Sequence, residues 1–169
     1  MTLEEAIKTA IEFETKVRRV YVHAVEQATD PIGKKVFKVL AGEEMNHIAY
    51  LKNRYNEWKK EGRITAEKLE TAISPKKVIE VEVNKLDRNL SYKDHGEELE
   101  MLRKALALEI ETSDFYKKMV STLKAEGRKM FRRFVEIEEG HIAIVQAEID
   151  KLAGLGFWFD IPVFDLETG

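Results

Sequence analysis

Apolar residues recur along this chain at steps of three and four, the period of a helix face turned toward a core. The first stripe, Ile7, Ala10, Ile11, Val17, Tyr21 and Val25, predicts a helix over about 3 to 28. Thr2 and Glu5 stand just ahead of it at the spacing of a capping box. Asp30-Pro31 then supplies an N-cap followed by proline at the first helical position, where the missing N–H costs nothing. A second helix follows to about Lys60, with Phe37, Leu40, Ala41, Ile48 and Leu51 on one face and Gly62 as its stop. Residues 63 to 93 read as a crossover. One helical turn is expected from Thr65, and a minor helix after Ser74-Pro75, through Val78, Ile79, Val83 and Leu86. Asp94 with Glu97 repeats the capping pattern and opens a third long helix over about 95 to 125. Gly127 is expected to punctuate the turn before a fourth, about 128 to 153. The tail, 154 to 169, carries Phe157, Trp158, Phe159 and Phe164 around Pro162 and is expected to lay its aromatics on the bundle.

The second half of this pattern repeats the first. Glu14 and Tyr21 map onto Glu109 and Tyr116 at one offset, and Phe37, Glu44 and His47 map onto Phe131, Glu138 and His141 at an offset one residue shorter. Two like hairpins, about 3 to 60 and 95 to 153, each expose an apolar face that only the other can cover. The expectation is all-α: an antiparallel four-helix bundle with a long second-to-third crossover, one domain over residues 1 to 169.

Four polar positions interrupt the stripes. Glu14, Glu44, Glu109 and Glu138 each sit in the middle of an apolar helix face, where an isolated ionised carboxylate costs several kcal/mol or protonates. No lysine or arginine occupies the stripes at the same level; Arg18 comes nearest, toward the edge of its own. Four inward carboxylates ask for cations, and two divalent ions carry the matching charge. His47 and His141 each follow an inward glutamate by three residues, which places imidazole and carboxylate on one helix face. A Glu from each of two helices and Glu-x-x-His from each of the other two is the ligand plan of di-iron and di-manganese carboxylate bundles. Tyr21 and Tyr116, two turns beyond inward glutamates, are candidates to hydrogen-bond a ligand carboxylate from the facing helix. His23 and His95 read as solvent-facing. Glu12, Glu43, Glu111 and Glu139 read as surface charges, with Glu111 the one considered for a supporting contact. Met45, Met101, Met119 and Met130 read as core.

Composition narrows the chemistry. With no cysteine in the chain there is no disulfide, thiolate ligand, iron-sulfur cluster or cysteine nucleophile, and any metal is held by nitrogen and oxygen. Acids and bases nearly cancel, to a net charge of -3, which argues against nucleic acid as partner. The amino terminus has no apolar signal-like run and no stretch suits a membrane span, so a soluble, cytoplasmic protein is expected.

At Glu14 with Tyr21, Glu44-Met45-Asn46-His47, Glu109 with Tyr116, and Glu138-Glu139-Gly140-His141, over about residues 3 to 153, the chain resembles the rubrerythrin-like branch of the ferritin-like superfamily. The resemblance implies a ferritin-like bundle and a centre of two iron ions that reacts with hydrogen peroxide or dioxygen. Glu44 and Glu138 would bridge, and Glu14 and Glu109 would each bind one ion. Many relatives carry a cysteine-ligated rubredoxin-like domain as electron donor; here electrons must come from an external donor such as a rubredoxin. Where that family has an extra glutamate, three residues beyond the third ligand, this chain has Thr112. The alternatives are a ferroxidase or iron-handling protein, and a bundle holding manganese or zinc for structure alone. A homodimer is open to such a fold through its long crossover.

Overall fold

The structure is a computed structural model and describes residues 1–84 and 96–153. Those residues form five α-helices and no strand: α1 Leu3–Gln27, α2 Pro31–Glu61, α3 Lys76–Asn84, α4 Gly96–Thr122 and α5 Ala125–Leu152. Thr2 caps α1 with its side chain on the Glu5 amide while the Glu5 carboxylate returns to the Thr2 amide, both arms of the capping box. Asp30 caps α2 through Gly33 N at 2.8 Å, with Pro31 in first position. Gly62 ends it in the left-handed region at φ 67°, a conformation glycine adopts without strain. Three residues join α1 to α2 and two join α4 to α5. Each pair therefore runs antiparallel and packs along its length, while α1 also packs on α4 and α3 on α5.

Two details of the connections differ from the sequence pattern. No helical turn starts at Thr65. Its N–H and hydroxyl both donate to Glu57 Oε1, at 3.1 and 3.0 Å, and Arg54 donates to its carbonyl at 2.7 Å, so α2 side chains take the groups a new helix would have used. Gly127 does not punctuate the last turn either. The chain reverses at Leu123 and Lys124, Ala125 takes a φ of 49°, and Gly127 lies inside the first turn of α5. A Cβ there would stand 3.0 Å from Leu3 Cδ1, so the glycine serves the close packing of α5 on the start of α1. The Asp94 cap, the last part of the minor helix and the aromatic tail lie outside the described residues.

The core is divided. One apolar cluster gathers Val17, Tyr21, Phe37, Leu40, Leu102, Ala105, Ile144 and Val145. A second gathers Ile7, Ala10, Leu51, Tyr116, Phe131, Phe134 and Ile137. Every long helix contributes to both, and along each helix the change from one cluster to the other falls where the stripe is broken by a glutamate. Met119 and Met130 are buried as expected, but Met45 is 54% exposed: beside Glu44 on α2, it falls on the solvent face of that helix. Among the described residues no helix is long and apolar enough to cross a membrane.

Candidate metal centre

Between the two apolar clusters the four long helices deliver Glu14, Glu44, His47, Glu109, Glu138 and His141 to one place, all with 0% exposure. The i,i+3 spacing on α2 and on α5 sets each histidine beside its own glutamate. His47 Nδ1 lies 3.2 Å from Glu14, 3.4 Å from Glu44 and 3.6 Å from Glu138. His141 Nδ1 lies 2.9 Å from Glu44, 3.5 Å from Glu109 and 3.7 Å from Glu138. The two rings stack, 5.4 Å apart and 10° from parallel. The tyrosines cross over between α1 and α4. Tyr21 donates to Glu109 Oε1 at 2.5 Å, and Tyr116 donates to Glu14 Oε1. Both are fully buried, so each phenol holds a carboxylate of the other hairpin in place.

The ligand atoms sort into three overlapping groups, each within 4.8 Å: Glu14, Glu44, His47 and Glu138 in one, Glu44, Glu109, Glu138 and His141 in another, and Glu43, His47 and His141 in a third. Glu44 and Glu138 belong to both of the four-residue groups. Among the described residues neither oxygen of Glu44 or of Glu138, nor Glu109 Oε2, makes a well-formed hydrogen bond, His141 Nδ1 facing Glu44 as an ion-pair partner. Buried carboxylate oxygens without donors are costly, and a cation is the partner that removes that cost. The donor set, hard oxygen with imidazole nitrogen, suits iron, manganese or zinc. These groups can hold a metal ion.

Electrostatics point the same way. Burial, with repulsion from Glu14 and Glu109, pushes Glu44 up to about 8. Burial, with Glu109 and Glu14, also pushes Glu138 well above the usual carboxylate range. Burial opposes ionisation of Glu14 and Glu109 too, but His47 with Tyr116 and His141 with Tyr21 outweigh it, and both stay low. Burial disfavours charge on the imidazoles, yet the surrounding carboxylates, Glu14 and Glu44 foremost, raise His47 to about 10, and Glu138 foremost raises His141. Without a cation, protons take its place.

Of the neighbouring acids, Glu12 and Glu111 are exposed and Glu139 is half-buried, 3.9 Å from Lys117. His23 is exposed beside Glu26, while His95 lies outside the described residues. Glu43 overturns its reading as a surface charge. It is 5% exposed, accepts from Ala72 N at 2.9 Å and from Thr71 Oγ1, and approaches His141 Nε2 to 3.5 Å. It lies one position off the α2 stripe, on the side that the crossover covers, and helical periodicity within α2 cannot show what a distant segment will cover. Glu98 and Glu148, 3% and 1% exposed, were missed for the same kind of reason. Thr112 is buried and turns its hydroxyl to Leu108 O at 2.8 Å, so it bonds its own helix.

No family model and no curated protein matches the chain. A solved hypothetical protein from Pyrococcus furiosus is similar to it in fold, with 21% identity, 94% of each chain covered and a TM-score of 0.67. At that identity the likeness speaks for the shared helical architecture alone.

Proposed function

We propose that this chain is a ferritin-like bundle holding two iron ions, and that it reduces hydrogen peroxide or dioxygen with electrons from an external donor. The observation that carries the reading is the pair of overlapping four-residue ligand groups with Glu44 and Glu138 common to both. Two ions could share those carboxylates as bridges, with Glu14 and His47 completing one position and Glu109 and His141 the other. Four carboxylates would balance two divalent cations in a layer that no lysine or arginine neutralises among the described residues. The crosswise Tyr21 and Tyr116 bonds, and the rubrerythrin-like motifs on all four helices, support the same reading.

A ferrous pair would supply two electrons, one from each ion, which is the number that converts one hydrogen peroxide and two protons into two waters. The chain's own contribution is positional. Tyr21 and Tyr116 hold the outer carboxylates, the two apolar clusters keep bulk water from the layer, and the imidazoles offer Nδ1 toward the carboxylates. A second reading, a ferroxidase that oxidises and retains or passes on iron, is favoured by Thr112, which supplies no further carboxylate to exchange on and off a metal.

Metal analysis of the purified protein, followed by anaerobic ferrous loading and mixing with peroxide, tests the proposal. Two metals per chain and oxidation much faster than free ferrous iron are expected, with both metals lost in Glu44→Ala. Oxidation no faster than free ferrous iron would sink the redox reading. Many turnovers with added reductant mark a catalyst, and a halt after one filling marks the iron-handling alternative.

A further inference from the structure

The repeat that relates the two hairpins breaks at Glu43, beside the proposed metal layer. Glu44 and His47 have counterparts in Glu138 and His141, but the counterpart of Glu43 is Ile137, a buried apolar residue of the second cluster. The two imidazoles are therefore not equivalently supported. His141 has Nδ1 toward Glu44, Glu109 and Glu138 and Nε2 toward Glu43, at 3.5 Å. His47 makes its ion pairs through Nδ1 and none with Glu43, although Glu43 lies within 4.8 Å of a His47 ring nitrogen; neither imidazole has a hydrogen bond at Nε2 among the described residues, so the difference is the closer approach of Glu43 to His141. Glu43 is held from behind by the crossover, through Ala72 N at 2.9 Å and Thr71 Oγ1. The crossover can come this close because Gly140 presents no side chain: a Cβ there would meet Ser74 O at 3.0 Å.

A carboxylate facing the outer nitrogen of a ligand imidazole keeps the proton on that nitrogen. The inner lone pair is then free for the metal, and the ring is more basic. We propose that Glu43 is a positioning residue that makes the two metal positions unequal, so that the one built from Glu109 and His141 binds its cation more tightly and fills first. This rests on the two-metal reading above. It assigns to the crossover, through Thr71 and Ala72, a hold on one metal position and not on the other.

Calorimetric titration of the metal-free full-length chain with cobalt(II), with the visible cobalt bands followed in parallel, tests it. Wild type is expected to bind two ions in resolved steps, the first about tenfold or more tighter. Glu43→Gln keeps the side chain's shape and removes its charge. It should weaken the first step by about 10- to 100-fold and leave the second within a few-fold, closing the gap. Thr71→Val, which loosens Glu43 without altering it, should move the first step the same way by a smaller factor, and serves if Glu43→Gln loses its helical circular dichroism. Equal steps in wild type, or equal weakening of both in Glu43→Gln, would overturn the proposal while leaving two metals in place. A wild-type chain that retains no cobalt would overturn the two-metal reading and this proposal with it.

Discussion

Two regions of this protein bury carboxylates, and they do so in opposite ways. Where the α1–α2 turn meets the start of α4 and the end of α5, Glu98 accepts from Thr29 N, from Thr29 Oγ1 at 2.6 Å and from Asp30 N at 3.2 Å. Nearby, Lys151 lies 3.4 Å from Asp30 and 3.9 Å from Glu148. Among the described residues Glu148 has no hydrogen bond on either oxygen, and burial, with Asp30 and Glu98 nearby and Lys151 opposing, raises it to about 7. The chain supplies donors to one of these acids and lets the other keep its proton. In the candidate metal centre four carboxylates face one another, and both shared ones, Glu44 and Glu138, make no well-formed hydrogen bond among the described residues. A lone buried acid can be satisfied by protein or by protonation. Four that converge on a common point, with two imidazoles beside them, can be satisfied together by cations.

The widest separation between the regions should come from removing metal. Two ions bound at about 1,000 times their dissociation constants would each stabilise the fold by about 4 kcal/mol. For a chain of this length that is on the order of 15 to 30 °C in melting temperature. Chelation should reverse it, and Glu44→Ala should melt at the same temperature with and without metal. Equal melting of the loaded and stripped wild type would place both regions in one class.

Glu148 gives the next largest effect, and its sign is opposite to that of a paired acid. Its folded value, about 7, stands above the ordinary value of 4.5, so the native state holds the extra proton. The stability from this site is full below about pH 4.5 and is lost as pH rises through 7, a fall of up to about 3 kcal/mol. Glu148→Gln should match wild type at pH 4 and exceed it at pH 8 in chemical denaturation. An equal difference at both pH values would mean that protonation of Glu148 is not the cause. Glu98→Ala, by contrast, should destabilise by about 2 kcal/mol because it strands the turn's donors, and should leave cobalt stoichiometry unchanged. A lost metal in that variant would mean that the two regions are one.

Much of the centre was legible in the chain because helical periodicity is local. Glu14, Glu44, Glu109 and Glu138 reveal themselves by breaking apolar stripes, and His47 and His141 by their spacing from two of them. The helix ends at Thr2, Asp30 and Gly62 were legible too, since each is set by side chains within one turn. The places where reading failed involve segments distant in sequence. Glu43 is buried by Thr71 and Ala72, Thr65 is claimed by Arg54 and Glu57, and Gly127 answers to Leu3. Glu98 likewise belongs to a turn 68 residues away. No pattern within a single helix records such partners.

Gly140 offers the finest division between the regions. It adjoins His141 on α5, and its missing side chain lets the carbonyl of Ser74 come to 3.0 Å from where a Cβ would stand. Alanine there must displace backbone, not the end of a flexible side chain, by a few tenths of an ångström. The expected cost is about 1 kcal/mol, part of it returned by alanine's better helix propensity. The displaced segment is the one that carries Thr71 and Ala72, so Gly140→Ala should weaken the first cobalt step by a few-fold and leave the second unmoved. The pH profile set by Glu148, on the same helix two turns away, should stay as it is. Titration and denaturation of this one variant would thus read both carboxylate regions at once, and a shift in the Glu148 profile would mean that α5 couples them.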